Sequence, residues 1–364
     1  MIINNNINNN SHNLDHLKDY IIRPIQKNDL TDLCYLAKKS GIGFTSLPES
    51  RTYLANKVKR SIESFEKSDS EITSEYYMFA LEHLPSKKVI GVSAIESNVG
   101  SEELFYHYKI GKLTKASKNP VIRKEHQILS ISSDLSNSTE VCTLFLLPEH
   151  RHKFLGKLLS KSRFLFLKQF KNRFQNKIIA EMRGVSNEEG VSPFWESIGK
   201  HFIGLEFPEA DYIKGCGHTE FITNLIPENR VYTCLLPKDA QESLGKVHKL
   251  TEPAKKLLEQ EGFKFKGYID LFDAGPALHA NLNNIKSIKN SAVYTAIKNQ
   301  NSNQGVLNNQ LCLISNTKLN KWRVMLTPIS LTEDNKVLLT PEWFSYLQLQ
   351  DKDKNNKVMV NFFN

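Results

Sequence analysis

The chain has 364 residues, 40% hydrophobic and 24% charged, which is the length and texture of an ordinary globular protein of two or three domains. A formal charge of +9 admits nucleic acid, a membrane surface or a small polyanion as partner, but no nucleic-acid-binding module is recognisable and no apolar run approaches a membrane span. Cys34, Cys142, Cys216, Cys234 and Cys312 lie far apart and in no CxxC pair, which argues against a metal site or disulfide framework and for a reducing, cytoplasmic setting.

In chain order, residues 1–19 open with MIINNNINNNSHN, an Asn-rich leader expected to be disordered. Tyr20 to Ile25 reads as a strand, and Asn28 or Asp29 then caps a helix through Lys39 that ends at Gly41. Arg51 to Phe65 is a second helix. Strands follow at Tyr76 to Glu82 and Val89 to Ile95, joined by a turn at Pro85 and Lys87.

The most informative stretch is Thr139 to Phe170, TEVCTLFLLPEHRHKFLGKLLSKSRFLFLKQF. Val141 to Leu147 is an apolar, β-rich run ended by Pro148 and reads as a strand. Leu155, Leu158, Leu159, Ser162, Phe166 and Phe170 recur at three- and four-residue steps, which makes a helix. Its N-terminus lies beside Arg151, Lys153 and Gly156, and acids are absent from Arg151 to Lys177. Free N–H groups at a helix start suit a pyrophosphate. The turn RHKFLG resembles the RxxGxG turn of GNAT acyltransferases, with Arg151 and Gly156 at matching positions, and the element order up to this point is the GNAT order.

Ile178 to Arg183 reads as a further strand. Ser192, Pro193 and Glu196 start a helix, SPFWESIGKHF, that is expected to run into a new strand. Thr251 to Phe263 repeats this pattern, with Thr251 as cap, Pro253 in the first turn and Gly262 closing it. Either the GNAT-like unit is partly duplicated, with a second half from about residue 205, or two short helices share capping rules by chance. From about 276 to 364, short β-rich runs at Ala292 to Ile297, Gln310 to Ile314, Trp322 to Leu331, Val337 to Leu339 and Val358 to Phe363 indicate a small all-β domain, with an Asn-containing loop at Asn299 to Asn309.

GFTSLPES (Gly43 to Ser50), SAIESNVG (from Ser93), EVCTLFL (from Glu140), LLSKSRFLF (from Leu158), IAEMRGVS (from Ile179), ADYIKG (from Ala210), GKVH (Gly245 to His248) and EGFKFKGYIDLFDAGP (Glu261 to Pro276) together resemble bacterial arginine N-succinyltransferases. The likeness is colinear from about Ile21 to Asn290. It implies an α+β, GNAT-like acyl-CoA N-acyltransferase over residues 20–275, which moves succinyl from succinyl-CoA to the α-amine of L-arginine in arginine degradation. It implies no permanently bound cofactor, with succinyl-CoA as co-substrate, and a homo-oligomer or a hetero-oligomer with a related subunit. Leu144 then contacts succinyl-CoA and His248 is the proton donor. Ornithine or another acyl-CoA is the alternative substrate, and a catalytically weakened subunit the alternative role. The chain departs from the family at Phe154 and Leu155 in the turn, at Lys249 after the histidine, and at Ala274 in place of a glycine.

An α-amine, with a reference pKa near 8, loses its proton far more readily than a guanidinium above roughly 12, so attack by the α-amine asks little of a base. The thioester oxyanion wants backbone N–H groups and the departing thiolate a proton, which an imidazole can supply. For the substrate guanidinium the candidate carboxylates are Glu140, Glu181 and Asp134; for the succinyl carboxylate the candidate cations are Arg163 and Arg183. Cys142 alternates with apolar neighbours on a strand and is read as packing rather than as a nucleophile.

Overall fold

A computed structural model describes residues 15–68, 72–151, 154–299, 310–332, 334–350 and 356–363. Most of the leader and nearly all of the Asn299 to Asn309 loop lie outside these residues; Asp15–Asp19 form a 3-10 turn in which Leu17 is buried. The first half runs β1 (Tyr20–Pro24), α1 (Leu30–Ser40), α2 (Arg51–Glu66), β2 (Tyr76–His83), β3 (Lys88–Val99), β4 (His107–Lys118), β5 (Val121–Ser132), β6 (Ser138–Leu146), α3 (Leu155–Gln169) and β7 (Lys177–Glu181). Apart from the β4–β5 hairpin this is the element order expected of a GNAT-like α+β domain. No helix among the described residues is long and apolar enough to cross a membrane.

Local chemistry explains most of these boundaries. The Ser50 hydroxyl accepts from the backbone N–H of Tyr53 and starts α2, while Gly41, at φ 78°, closes α1 in a conformation that favours glycine. The apolar face of α3 buries Leu155, Leu158, Leu159 and Phe166 against the sheet. Phe166 meets Tyr77, Phe79 and Trp322 at ring-centroid distances of 5.0, 5.0 and 5.1 Å.

SPFWESIGKHF does not lead into a strand. Two short helices, Pro193–Ser197 and Gly199–Ile203, are followed by a third at Phe207–Gly215, called α6 after its two predecessors α4 and α5. Pro208 occupies its first turn, and its buried residues Phe207, Ala210, Asp211 and Gly215 recur at helical spacing, so burial selects helix. Glu220–Leu225 (α7), the two-residue β8 (Val231–Tyr232), Lys238–Ser243 (α8), Glu252–Gln260 (α9), β9 (Lys264–Ile269) and β10 (Pro276–Asn281) complete this part.

The tail contributes β11 (Ser291–Lys298), β12 (Gln310–Asn316), β13 (Val324–Leu331), β14 (Lys336–Leu339) and β15 (Lys357–Phe362), and the strands form one sheet in the order β12-β15-β11-β14-β13-β1-β2-β3-β6-β7-β10-β9-β4-β5-β8. Strand β10 pairs with both β7 and β9 inside its central part. The five tail strands, β11 to β15, lie together at one end of that sheet. An extra β12–β13 pairing closes these five strands into a ring around Cys312, Ile314, Met325, Val337, Val358 and Val360. The ring meets the rest of the sheet where Ile22 of β1 pairs with Val324.

Candidate active site

Strand β6 is irregular where the chemistry is expected. Its partner β3 matches Val92 with Phe145 and Ala94 with Cys142, so Thr143 and Leu144 face the single residue Ser93 across a bulge. Thr143 takes φ 52°, an outlier for a β-branched residue, and its hydroxyl lies 3.3 Å from that of Tyr76. On the other edge, β6 pairs with β7 only through Thr139↔Ile178 and Glu140↔Ile179. Beyond Glu140 the two strands part, and residues 140–144 line the opening between them.

Two cavities meet there. The outer one, about 470 Å³, is lined by Leu144, Arg151, Gly156 and Lys157 on one side and by Leu250, Thr251 and Pro253 on the other. It thus gathers all three residues expected to contact the cofactor. Arg151 is fixed by a 2.9 Å hydrogen bond from Nε to the Leu146 carbonyl, which leaves the rest of its guanidinium available. A Cβ on Gly156 would meet no atom within 4 Å, so the space in front of the first turn of α3 is open. The Phe154 ring packs against Phe363 at 6.3 Å and does not line this cavity.

The inner cavity, about 140 Å³, shares Phe44, Leu144, Arg183, Thr251 and Ala254 with the outer one. It is rich in charge. Lys214 and Asp270 pair at 2.7 Å; burial opposes both charges, yet each holds the other ionised, Lys214 above and Asp270 below its ordinary range. Asp273 accepts from the backbone N–H groups of Gly184 and Gly275 at 2.6 and 2.8 Å. The two chain segments cross so closely that a Cβ on Gly184 would stand 2.2 Å from the Asp273 carbonyl, and one on Gly275 1.9 Å from that of Met182. Beside Gly275, Ala274 has φ 55°, a conformation that explains the glycine expected there.

Of the three carboxylates considered for a guanidinium, Glu140 and Glu181 line the inner cavity. Asp134 is exposed and accepts from the Tyr268 hydroxyl at 2.8 Å, away from it. Oε1 of Glu181 lies 2.8 Å from Nε2 of buried His107. Glu140 makes no hydrogen bond or ion pair among the described residues; burial, then Glu181 and Glu96, push its carboxyl up to about 8. Burial beside Glu140 and Glu96 likewise raises the Cys142 thiol far above its ordinary value, so the thiolate needed for a covalent acyl-enzyme is absent near neutrality.

His248 lines neither cavity. Its backbone N–H donates to the Arg183 carbonyl at 2.9 Å, which sets it against one of the five residues common to both. Its Nδ1 accepts from the Leu250 N–H at 3.2 Å, which leaves the ring proton of the neutral imidazole on Nε2. Burial, then Arg183 and Lys249, hold its pKa below the usual value.

Asp211, Lys214, Asp270 and Asp273 were not singled out by sequence, although each sits in a quoted motif, ADYIKG or YIDLFDAGP. The common signal is convergence. Segments GFTS, EVCTL, AEMR, ADYIKG and DLFD, drawn from Gly43 to Asp273, supply most of the inner cavity wall.

Known proteins bear on this site in three ways. The family profile described as arginine N-succinyltransferase beta subunit matches residues 20–287. A Yersinia pseudotuberculosis protein named arginine N-succinyltransferase is 40% identical over 324 residues, 88% of this chain and 92% of its own, and an Escherichia coli protein of that name is 37% identical over 334 residues, 92% and 96%. The solved structure of arginine/ornithine succinyltransferase subunit AI from Pseudomonas aeruginosa superposes with a TM-score of 0.85 at 30% identity, covering 94% of this chain and 98% of that one.

Proposed function

The chain belongs to the arginine N-succinyltransferase family, and from that premise we propose that it transfers succinyl from succinyl-CoA to the α-amine of L-arginine, giving N2-succinyl-L-arginine and CoA. The observation that carries the reading is the parting of β6 from β7 at a bulge, with an anion-suited helix start on one side and a carboxylate-rich pocket on the other.

In this reading the CoA phosphates lie by Arg151 and the first turn of α3 at Gly156, where free N–H groups and the helix dipole favour negative charge. The thioester lies at Leu144, whose backbone N–H stabilises the oxyanion as the amine attacks. Direct transfer is favoured because Cys142 is held as a thiol. As the C–S bond breaks, the imidazolium form of His248 gives its Nε2 proton to the departing sulfur, and the neutral ring that remains takes up the proton shed by the amine. Glu140 and Glu181 are the carboxylates available to the guanidinium.

The name of the Pseudomonas relative includes ornithine, which makes ornithine the second acceptor to examine. The subunit terms in the family and relative descriptions support an oligomer, either of this chain alone or with a related subunit. Five free cysteines support a cytoplasmic setting. The deciding assay follows thiol release and product mass with succinyl-CoA and either L-arginine or L-ornithine. Arginine-dependent release of CoA with a succinylated product is expected, and its absence rejects the reading.

A further inference from the structure

Among the described residues, Arg163 is a cation without an ion-pair partner. It lies on α3 with 1% of its surface exposed and lines the inner cavity. Its Nε donates to the Ser160 carbonyl at 3.2 Å, Nη2 to the Ser160 hydroxyl at 3.2 Å, and Nη1 to the Cys142 carbonyl at 3.4 Å. All three acceptors are neutral, and among the described residues no carboxylate forms an ion pair with it. Burial pulls its pKa down to about 10, with Cys142 and Glu140 opposing from farther off. Of the other cations here, Lys214 is paired with Asp270, while Arg183 is only partly buried, donates to the Ser186 hydroxyl at 3.2 Å and feels Asp273 and Asp211 from beyond ion-pair distance. A buried guanidinium left unpaired is costly, so the site is built for an anion that the protein itself does not supply.

We propose that Arg163 binds the free carboxylate at the far end of the acyl group, so that the pocket selects dicarboxylic acyl-CoA donors over monocarboxylic ones. The inference rests on Leu144 facing the thioester. Arg163 reaches the same strand two residues earlier, at Cys142, and the bulge at Thr143 holds that separation somewhat below the roughly 6.6 Å that two residues of regular strand would span. A succinyl group matches that gap: three C–C bonds reach roughly 4 Å and a charge-assisted hydrogen bond about 2.8 Å more. An acetyl group ends far short of it. The rival anion is the α-carboxylate of the acceptor, and the two make different predictions.

The test uses the full chain, with thiol release measured for succinyl-CoA and butyryl-CoA against L-arginine, and for L-arginine and its decarboxylated analogue agmatine against succinyl-CoA. Arg163→Met removes the charge and keeps the bulk, and replacing a buried charge by an apolar side chain is often tolerated. The succinyl-to-butyryl ratio of kcat/KM should fall about 100-fold, as expected for losing hydrogen bonds to a charged group, with the arginine-to-agmatine ratio unchanged. Arg163→Lys keeps the charge without the planar fork and should lower the donor ratio about 10-fold; it decides the matter if the Met variant does not fold. An unchanged donor ratio in a folded variant overturns the proposal. A collapse of the acceptor ratio instead also overturns it, by assigning Arg163 to the amino acid. Wild-type protein that releases no thiol from succinyl-CoA in response to arginine fails the functional reading itself, before any variant is made.

Discussion

Two ends of one sheet meet the same hydrogen-bonding requirement in opposite ways. At the tail, β11 to β15 close on themselves, and the interior holds Ile314, Met325, Val337, Val358 and Val360 with no ionised group among its core residues. At the centre, β6 and β7 separate after two paired positions, and the gap is filled by Glu140, Arg163, Arg183, Lys214, Asp270 and Asp273. Closure satisfies backbone groups with backbone and permits a dry core; parting leaves room that must be lined by polar groups or filled by ligand. Stability should therefore concentrate in the first region and chemistry in the second.

The largest expected effect lies at the seam of the closed region. Trp322 is fully buried, packs against Phe79 and Phe166, and donates from Nε1 to Gln169 at 2.6 Å. Trp322→Ala should cost about 3–5 kcal/mol in denaturant unfolding, while turnover of the folded enzyme stays near wild type. A large loss of turnover without loss of stability would break the division of labour.

His248→Ala tests the opposite corner. Turnover should fall about 100-fold with the unfolding curve unchanged, because the side chain is only partly buried. Near-normal turnover would remove it from the mechanism. A smaller effect is expected at the mouth of the outer cavity: Arg151→Ala should raise KM for the acyl-CoA about 10-fold and leave kcat alone, the signature of uniform binding.

The last prediction concerns pH. Glu140 has its folded pKa near 8 against an unfolded value of about 4.3, so between those values the folded state holds a proton that the unfolded state releases. Stability should fall as pH rises through that window and level off above it. Glu140→Gln should flatten the fall, as read by calorimetric Tm from pH 5 to 8. Some slope should remain, because burial and Asp270 push Asp273 up to about 7, with the same sign.

What sequence conveyed and what it did not follows from where the information resides. Leu144, Arg151 and Gly156 are neighbours in the chain, and local strand, turn and helix signals suffice to bring them to one cavity. The inner cavity depends on β10 lying beside β7, and no local pattern states that order. The β4–β5 hairpin escaped notice because most of its outer half is exposed on both faces, so its apolar residues do not alternate. The strand expected after SPFWESIGKHF is replaced by the helix Phe207 to Gly215, because Trp195 and Phe272 supply the neighbours that bury one helical face and no local pattern names them.

Helix α3 joins the two regions. Its first turn faces the outer cavity at Gly156, while Gln169 in its last turn donates to the Asn316 carbonyl and accepts from Trp322 of the tail. Fifteen residues make a rod about 22 Å long. Held at its far end, the rod sets the pitch at which its N–H groups would meet the phosphates in the proposed reading. The tail therefore serves as a foundation for the geometry of the outer cavity, and removing it whole would unmoor a site to whose lining it contributes no residue.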